Sequence, residues 1–546
     1  MRVKDPPLPP ARMQAFTDAG HWNTTTLADD LDRVVAVAPH RTALVDVRER
    51  LDYATYRLRA RRLAAHLVQL GLTDDDVLAI QLPNWNEFPI AIAAAALAGV
   101  PFCQFHSDFR VRELEFMLGF IGASTLIVPA LFRSFDYLAM LEGLRPRLPR
   151  LKHVLVVGDD VPSQYFNLRR YLAQSDDPGG VLAASRRPHG NAFMRTAFTS
   201  GTTGDPKAVL HLHNTTNCAC RFLNRGQRIG PDSVLLVFLP VGLNWGLFNV
   251  LQALFAGSTL VLQDIFNAEQ AVELIRREKV THFCCAPAHL VAMLNVPSLD
   301  RKALTSLQSM MTGGASCPIE VIRAVNERMP GHLLEMYGML ECGTQAHTTL
   351  EEDPEDVCGT VGHPVAEMGI RVVDDADRDC APDEAGEILT YGPSVTIGYH
   401  NNPDANARSF TDDSWFRTGD IGAFDAKGRL RIIGRKKEMI IRGGANIYPR
   451  ELEEFLYEHP GVLDAAVVGV PDPSLGERVC ACIVPKPGGT LSFDDVIGFL
   501  KGRISNYKLP EYVQLVGALP RTPTGKVQKM VLRDQVLPHL TPPSRT

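Results

Sequence analysis

Short apolar runs alternating with amphipathic stretches constrain the fold of this chain more than any other feature. The runs at 77–82, 124–128, 153–157, 234–239, 282–285 and 333–337 read as buried strands. The segments 87–97, 268–278 and 318–328 read as helices. Strands that alternate with helices predict an α/β architecture with mostly parallel sheets, because each crossover helix returns the chain to the same edge. A length of 546 residues exceeds what one hydrophobic core fills, so two or more domains are expected.

The character of the chain shifts at 434–438, Gly-Arg-Lys-Lys-Glu, a cationic stretch between two apolar ones. A compact mixed pattern follows: a helix at 450–458, strands at 464–469 and 480–485, and a helix at 492–503. Net charge is −6, which gives no basic face for nucleic acid or an anionic membrane. The 11 cysteines show no zinc-ligand spacing. The tight pairs Cys218/Cys220 and Cys284/Cys285 read as reduced core thiols. The prolines at 6, 7, 9 and 10 and the lack of an apolar h-region predict no signal peptide. The alanine-rich run 89–102 is too short to span a bilayer, so a soluble cytoplasmic protein without membrane insertion is expected.

At 199–207 the chain reads Thr-Ser-Gly-Thr-Thr-Gly-Asp-Pro-Lys, directly after the apolar segment 193–198. Glycines let backbone N–H groups approach a polyanion, hydroxyls add donors and the lysine adds a charge. The loop is therefore expected at the C-terminal end of a strand, where open α/β sheets bind ligands. Composition alone leaves a plain turn open as well. It is not the mononucleotide P-loop, because no Gly-Lys-Ser/Thr follows at the required spacing.

This loop resembles the phosphate loop of the adenylate-forming superfamily: acyl-CoA synthetases, aryl-acid ligases, luciferases and adenylation domains of peptide synthetases. Further motifs follow in the family's order, from about residue 50 to Lys529. The resemblance implies a large multi-sheet N-terminal domain over residues 1–434, binding ATP and the acid. It also implies a small mobile α+β C-terminal domain over 435–546, carrying a catalytic lysine. The implied chemistry joins a carboxylic acid to ATP, with Mg²⁺, and passes the acyl group to CoA. Such chemistry needs the triphosphate held, the carboxylate in line with the α-phosphorus, and the developing charge offset.

Carried over residue by residue, the resemblance gives Thr199, Ser200, Gly201, Thr202, Thr203, Gly204 and Lys207 to the phosphates. In Tyr337-Gly338-Met-Leu340-Glu341, it gives Tyr337 to adenine and Glu341 to Mg²⁺. Gly314 and Ala315 join Tyr337 and Gly338 at the nucleotide, and Asp420 and Arg435 anchor the ribose across an expected hairpin. Lys526, in Pro-Arg-Thr-Pro-Thr-Gly-Lys, matches the lysine that bridges the carboxylate and the α-phosphate. Catalytic roles thus fall to Lys526, Glu341 and Lys207. Gly443, Gly444 and Arg442 match the segment that lines the path of the pantetheine arm, and Lys437 stands at the hinge. The implied mechanism alternates two domain orientations, one for adenylation and one for thiol attack. Three positions depart from the usual pattern: Ala208 for glycine, Leu340 for threonine and Ala445 for glutamate.

The stretch 239–246, Leu-Pro-Val-Gly-Leu-Asn-Trp-Gly, corresponds to the family's acyl-pocket segment. Asn244 matches an asparagine of the aryl-acid branch, the 2,3-dihydroxybenzoate and salicylate ligases, where it faces the ring's 2-hydroxyl and carboxylate. An amide suits that task because it both donates and accepts. Leu243, Gly313, Gly314, Gly338 and Leu340 complete the expected acid site. Gly242 and Gly246 stand where dihydroxybenzoate enzymes have bulkier residues, which implies a roomier pocket for a substituted salicylate or a hydroxynaphthoate. The alternative acceptor is the phosphopantetheine of a separate carrier protein. Arg442, Arg478 and Lys508 are the cations that would favour CoA through its 3′-phosphate.

Overall fold

The computed structural model describes residues 8–174, 187–199, 206–315, 317–489, 491–521 and 527–540. Their contacts gather into two units. The first holds the described residues up to 199, 206–369 and 390–416; the second holds 370–389 and the described residues from 417 on.

Two large sheets organise the first unit. One has, among the described residues, nine strands; from His332–Met339 through Ser309–Gly313, His282–Cys285, Val234–Val237 and Thr259–Leu262 to Thr42–Val45 the pairing is parallel. The other has seven, and its order runs from Ala208–Leu212 and Phe193–Phe198 through Phe102–Gln104, Leu78–Ile80, Thr125–Pro129 and His153–Val157 to Phe166–Asn167. All the strands expected from the apolar runs in this unit are present. Helices cover the sheets, so the strands are buried on both faces and read as continuous apolar runs. Helix Glu87–Ala98 is apolar all round after Glu87, and every one of its residues is buried. Such a helix has no solvent face to keep polar.

Among the described residues the second unit holds a four-stranded sheet and a five-stranded one. In the latter, Val462–Asp472 pairs antiparallel with Gly476–Pro485 along its whole length. Helix Phe493–Leu500 starts one residue later than expected because Ser492 caps it. The Ser492 hydroxyl accepts from the Asp495 N–H at 3.2 Å, and Asp495 accepts the Ser492 N–H at 2.9 Å. Among the described residues no helix is long and apolar enough to cross a membrane. All 11 cysteines carry free thiols, and Cys218, Cys220, Cys284 and Cys285 are buried.

Candidate active site

The base of the loop 199–207 is built by an antiparallel hairpin. Phe193–Phe198 pairs with Ala208–Leu212, so Phe198 faces Ala208. The Thr199 N–H donates to the Lys207 carbonyl at 3.0 Å, and the Lys207 N–H donates to the Thr199 hydroxyl at 3.2 Å. The loop therefore leaves the C-terminal end of a strand, as expected. Ser200, Gly201, Thr202, Thr203 and Gly204 lie outside the described residues. Ala208 is the buried first residue of the return strand, so its methyl group belongs to the sheet's packing.

Glu341 follows strand His332–Met339, which carries Tyr337 and Gly338, both in register with Gly343–His347. Only 7% of Glu341 is exposed, and its Oε1 accepts the Tyr399 hydroxyl at 3.0 Å. The Lys207 ammonium stands 4.8 Å from the centre of the Tyr399 ring. Burial first, and the Glu341 carboxylate second, push the Tyr399 phenol far above its ordinary range, so it remains a donor. An acid, a phenol and an ammonium thus form one chain. Tyr399 escaped the sequence reading because its partner is 58 residues away. Among the described residues no three His, Cys, Asp or Glu side chains gather into a metal cage. That donor set fits Mg²⁺, which is held by one or two carboxylates together with substrate phosphates and water. Gly313 ends the neighbouring strand Ser309–Gly313, and Gly314 and Ala315 are exposed beyond it. Leu340 is half-buried and packs against the cluster that contains Phe16, Trp22 and Cys342.

Helix Asn244–Ala256 opens with Asn244, and Leu243 stands at its N-cap. The amide oxygen of Asn244 accepts from Arg195 Nη2 at 2.9 Å. Arg195 lies in the middle of strand Phe193–Phe198 and is 0% exposed. Its Nε donates to the Thr216 hydroxyl at 3.3 Å, and its Nη1 has no hydrogen-bond partner among the described residues. Burial lowers this guanidinium to about 10. Beside it, burial and then Arg195 itself hold His211 well below the ordinary histidine range. A sequence reading that takes 193–198 as apolar passes over Arg195; a charged residue inside a strand buried on both faces was the available signal.

Gly242 and Gly246 do not create the room expected of them. A Cβ at Gly242 would run into the Phe105 carbonyl and lie 2.7 Å from His106 Cα. One at Gly246 would run into the Pro240 carbonyl and lie 2.8 Å from the Leu239 oxygen. The space these residues vacate is filled by backbone. Gly246→Ala is accordingly expected to cost about 1–3 kcal/mol through overpacking. Thermal unfolding checks this, since a glycine that merely lined a pocket would change acid preference at unchanged stability.

In the second unit the expected hairpin is present. Asp420 on Phe416–Phe424 lies opposite Arg435 on Leu430–Arg435, with Arg435 Nε 2.9 Å from the Asp420 carboxylate. Asp420 is buried and Arg435 partly exposed. Lys437 is exposed in the short turn Lys436–Glu438. Gly443 and Gly444 form the two-residue turn between Ile440–Arg442 and Ala445–Ile447, with φ of 56° and 85°. Positive φ at both central residues is what such a hairpin requires. Arg442 pairs with Glu511, Arg478 with Asp472, and Lys508 with Glu451 at 2.7 Å. Each cation named for a CoA phosphate therefore already holds an acid. Lys526 lies outside the described residues.

The chain matches the AMP-binding enzyme model over residues 31–400 and the AMP-binding enzyme C-terminal domain model over 451–526, and it belongs to this adenylate-forming family. It is an ATP-dependent, AMP- and pyrophosphate-forming acid–thiol ligase that uses ATP and Mg²⁺, and the relatives below are named as CoA ligases. The 2-hydroxy-7-methoxy-5-methyl-1-naphthoate–CoA ligase of Streptomyces carzinostaticus is 35% identical over 95% of this chain and 94% of its own length. The medium-chain fatty-acid–CoA ligase of Escherichia coli is 31% identical over 97% and 94%. Among solved structures, ATP-bound MatB of Rhodopseudomonas palustris superposes with a TM-score of 0.84 at 27% identity, covering 94% of this chain and 99% of that one.

Proposed function

We propose that this enzyme activates an aryl carboxylate, a 2-hydroxyaryl acid such as a substituted salicylate or a hydroxynaphthoate, and passes it to CoA in the cytoplasm. The observation that carries the acid's class is Asn244, half-buried at the start of its helix with one side of its amide fixed. The naphthoate substrate named for the Streptomyces relative supports the same reading. In the first half-reaction a carboxylate oxygen attacks the α-phosphorus, the bond to the β-phosphate breaks, and pyrophosphate leaves. In the second, the CoA sulfur, having given up its proton, attacks the acyl carbon, and the C–O bond to phosphate breaks to release AMP.

In this reading Thr199, the loop after it and Lys207 hold the phosphates, Tyr337, Gly314 and Ala315 border adenine, and Asp420 and Arg435 hold the ribose. Lys526 spans the carboxylate and the α-phosphate. Glu341 would hold Mg²⁺, which when bound offsets phosphate charge. Residues 435–546 turn about Lys437, and Gly443 and Gly444 then border the pantetheine arm. The ion pairs of Arg442, Arg478 and Lys508 favour a second reading, transfer to a carrier protein's phosphopantetheine, because each cation must leave an acid before it can meet a phosphate. The test is acid-dependent pyrophosphate release across benzoates, salicylates, naphthoates, alicyclic and fatty acids, with and without CoA. Release with one 2-hydroxyaryl class plus a CoA thioester by mass supports the first reading. Release without any thioester supports the second. Release only with fatty or alicyclic acids overturns the aryl assignment.

A further inference from the structure

Arg195 is a full cation placed where a strand of this architecture carries an apolar side chain. It is 0% exposed, and its polar contacts are the Asn244 oxygen at 2.9 Å and the Thr216 hydroxyl at 3.3 Å. Its other neighbours are uncharged: the Phe248 ring, with its centre 5.5 Å away, the His211 imidazole, which burial first and then Arg195 itself hold well below the ordinary range, and the Cys103 and Cys220 thiols, which burial pushes far up. No carboxylate among the described residues balances it, and Nη1 is without a hydrogen-bond partner there. Burying a guanidinium this way costs far more than burying leucine, so packing alone does not account for it.

A guanidinium has only donors. Whatever way an amide is drawn at this position, the atom it turns to Arg195 must be its oxygen, so the N–H groups are the side of Asn244 turned away from Arg195, and the oxygen keeps only its second lone pair. The N-terminal end of helix Asn244–Ala256 adds a partial positive charge on the same side. We propose that Arg195 is a positioning residue that sets the specificity of the acid site: by holding Asn244 Oδ1 it turns the amide's donors toward the acid, so the enzyme selects ring acids whose ortho substituent accepts a hydrogen bond over those whose ortho substituent donates one. This rests on the aryl-acid reading. The chemistry of the two substrate classes differs in the required sense. A 2-hydroxyl turns its single proton to its own carboxylate and offers lone pairs to Asn244. A 2-amino group does the same with one proton and keeps a second, which opposes the Asn244 N–H groups.

The test compares kcat/KM for matched 2-hydroxy and 2-amino ring acids, by pyrophosphate release, in the wild type and in Arg195→Met, Arg195→Lys and Asn244→Asp. Melting curves confirm folding. The wild type is expected to favour the hydroxy acid, and Arg195→Met to shrink that preference by about tenfold as the amide becomes free to turn. Arg195→Lys, which keeps a donor, retains most of the preference. Asn244→Asp keeps one oxygen on Arg195 and turns the other to the substrate, so the preference should reverse toward the amino acid. A merely structural arginine would not produce that reversal. A wild type that favours the amino acid, or ratios unchanged in Arg195→Met and Asn244→Asp, overturn the proposal. If Arg195→Met does not fold, an unchanged ratio in Asn244→Asp is sufficient to overturn it. A wild type that activates 2-hydroxyaryl acids while the variants keep its ratio overturns this inference alone. One that activates only fatty or alicyclic acids overturns the aryl reading with it.

Discussion

Lys526→Ala is expected to lower acid-dependent pyrophosphate release by about two to three orders of magnitude, the size of effect seen when one preorganised charge donor is removed from a transition state. The argument is electrostatic. Charge develops on the α-phosphate and on the leaving pyrophosphate at the moment the carboxylate bonds, and a compact ammonium on a flexible stem can span both partners. ATP affinity should change little, because the variant keeps Thr199, Lys207, Asp420 and Arg435, the residues proposed to hold the nucleotide. The split between half-reactions is the sharper outcome. If residues 435–546 turn between the two steps, thioester formation from a supplied acyl-adenylate should continue in Lys526→Ala while adenylation stops. Isotope exchange between pyrophosphate and ATP measures the first step, and thioester yield from synthetic acyl-adenylate measures the second. Equal loss in both would place the lysine's role in folding or docking, and normal exchange would remove it from the chemistry.

What the sequence made legible was whatever is written locally. The apolar runs at 78–80, 125–129 and 153–157 are strands because parallel sheets bury both faces, and that burial leaves an unbroken apolar signature. The opposition of Asp420 and Arg435 followed from a hairpin whose two strands adjoin in the chain. Features made by distant chain segments stayed hidden. Arg195 meets Asn244 across 49 residues and Tyr399 meets Glu341 across 58, and no spacing rule reaches so far. Gly242 and Gly246 suggest open space by their size, but the walls they face are backbone carbonyls at 105 and 240, and residue size at one position says nothing of that approach. The cations Arg442, Arg478 and Lys508 looked available because their acids, Glu511, Asp472 and Glu451, become partners only through the fold.

Replacing Glu341 separates charge from structure more cleanly than any other substitution here. Glu341→Gln keeps an oxygen that can accept the Tyr399 hydroxyl, so the buried hydrogen bond survives and the melting temperature should stay close to that of the wild type. The negative charge is gone, and with it the hard ligand proposed for Mg²⁺. Adenylation is expected to fall by about two to three orders of magnitude, and the Mg²⁺ concentration for half-maximal rate should rise. Glu341→Ala should show the same catalytic loss and, in addition, a stability cost of about 1–3 kcal/mol, because the Tyr399 hydroxyl is left buried without that acceptor. Tyr399→Phe is the complementary case: the carboxylate keeps its charge and loses one donor that fixes its position. Its rate should fall only about tenfold, with a smaller change in Mg²⁺ dependence. Magnesium titrations of the exchange rate, run beside thermal unfolding of all three variants, distinguish these roles. A Glu341→Gln enzyme that keeps the wild-type rate and magnesium profile would make Glu341 a structural acid and return the metal to the phosphates alone.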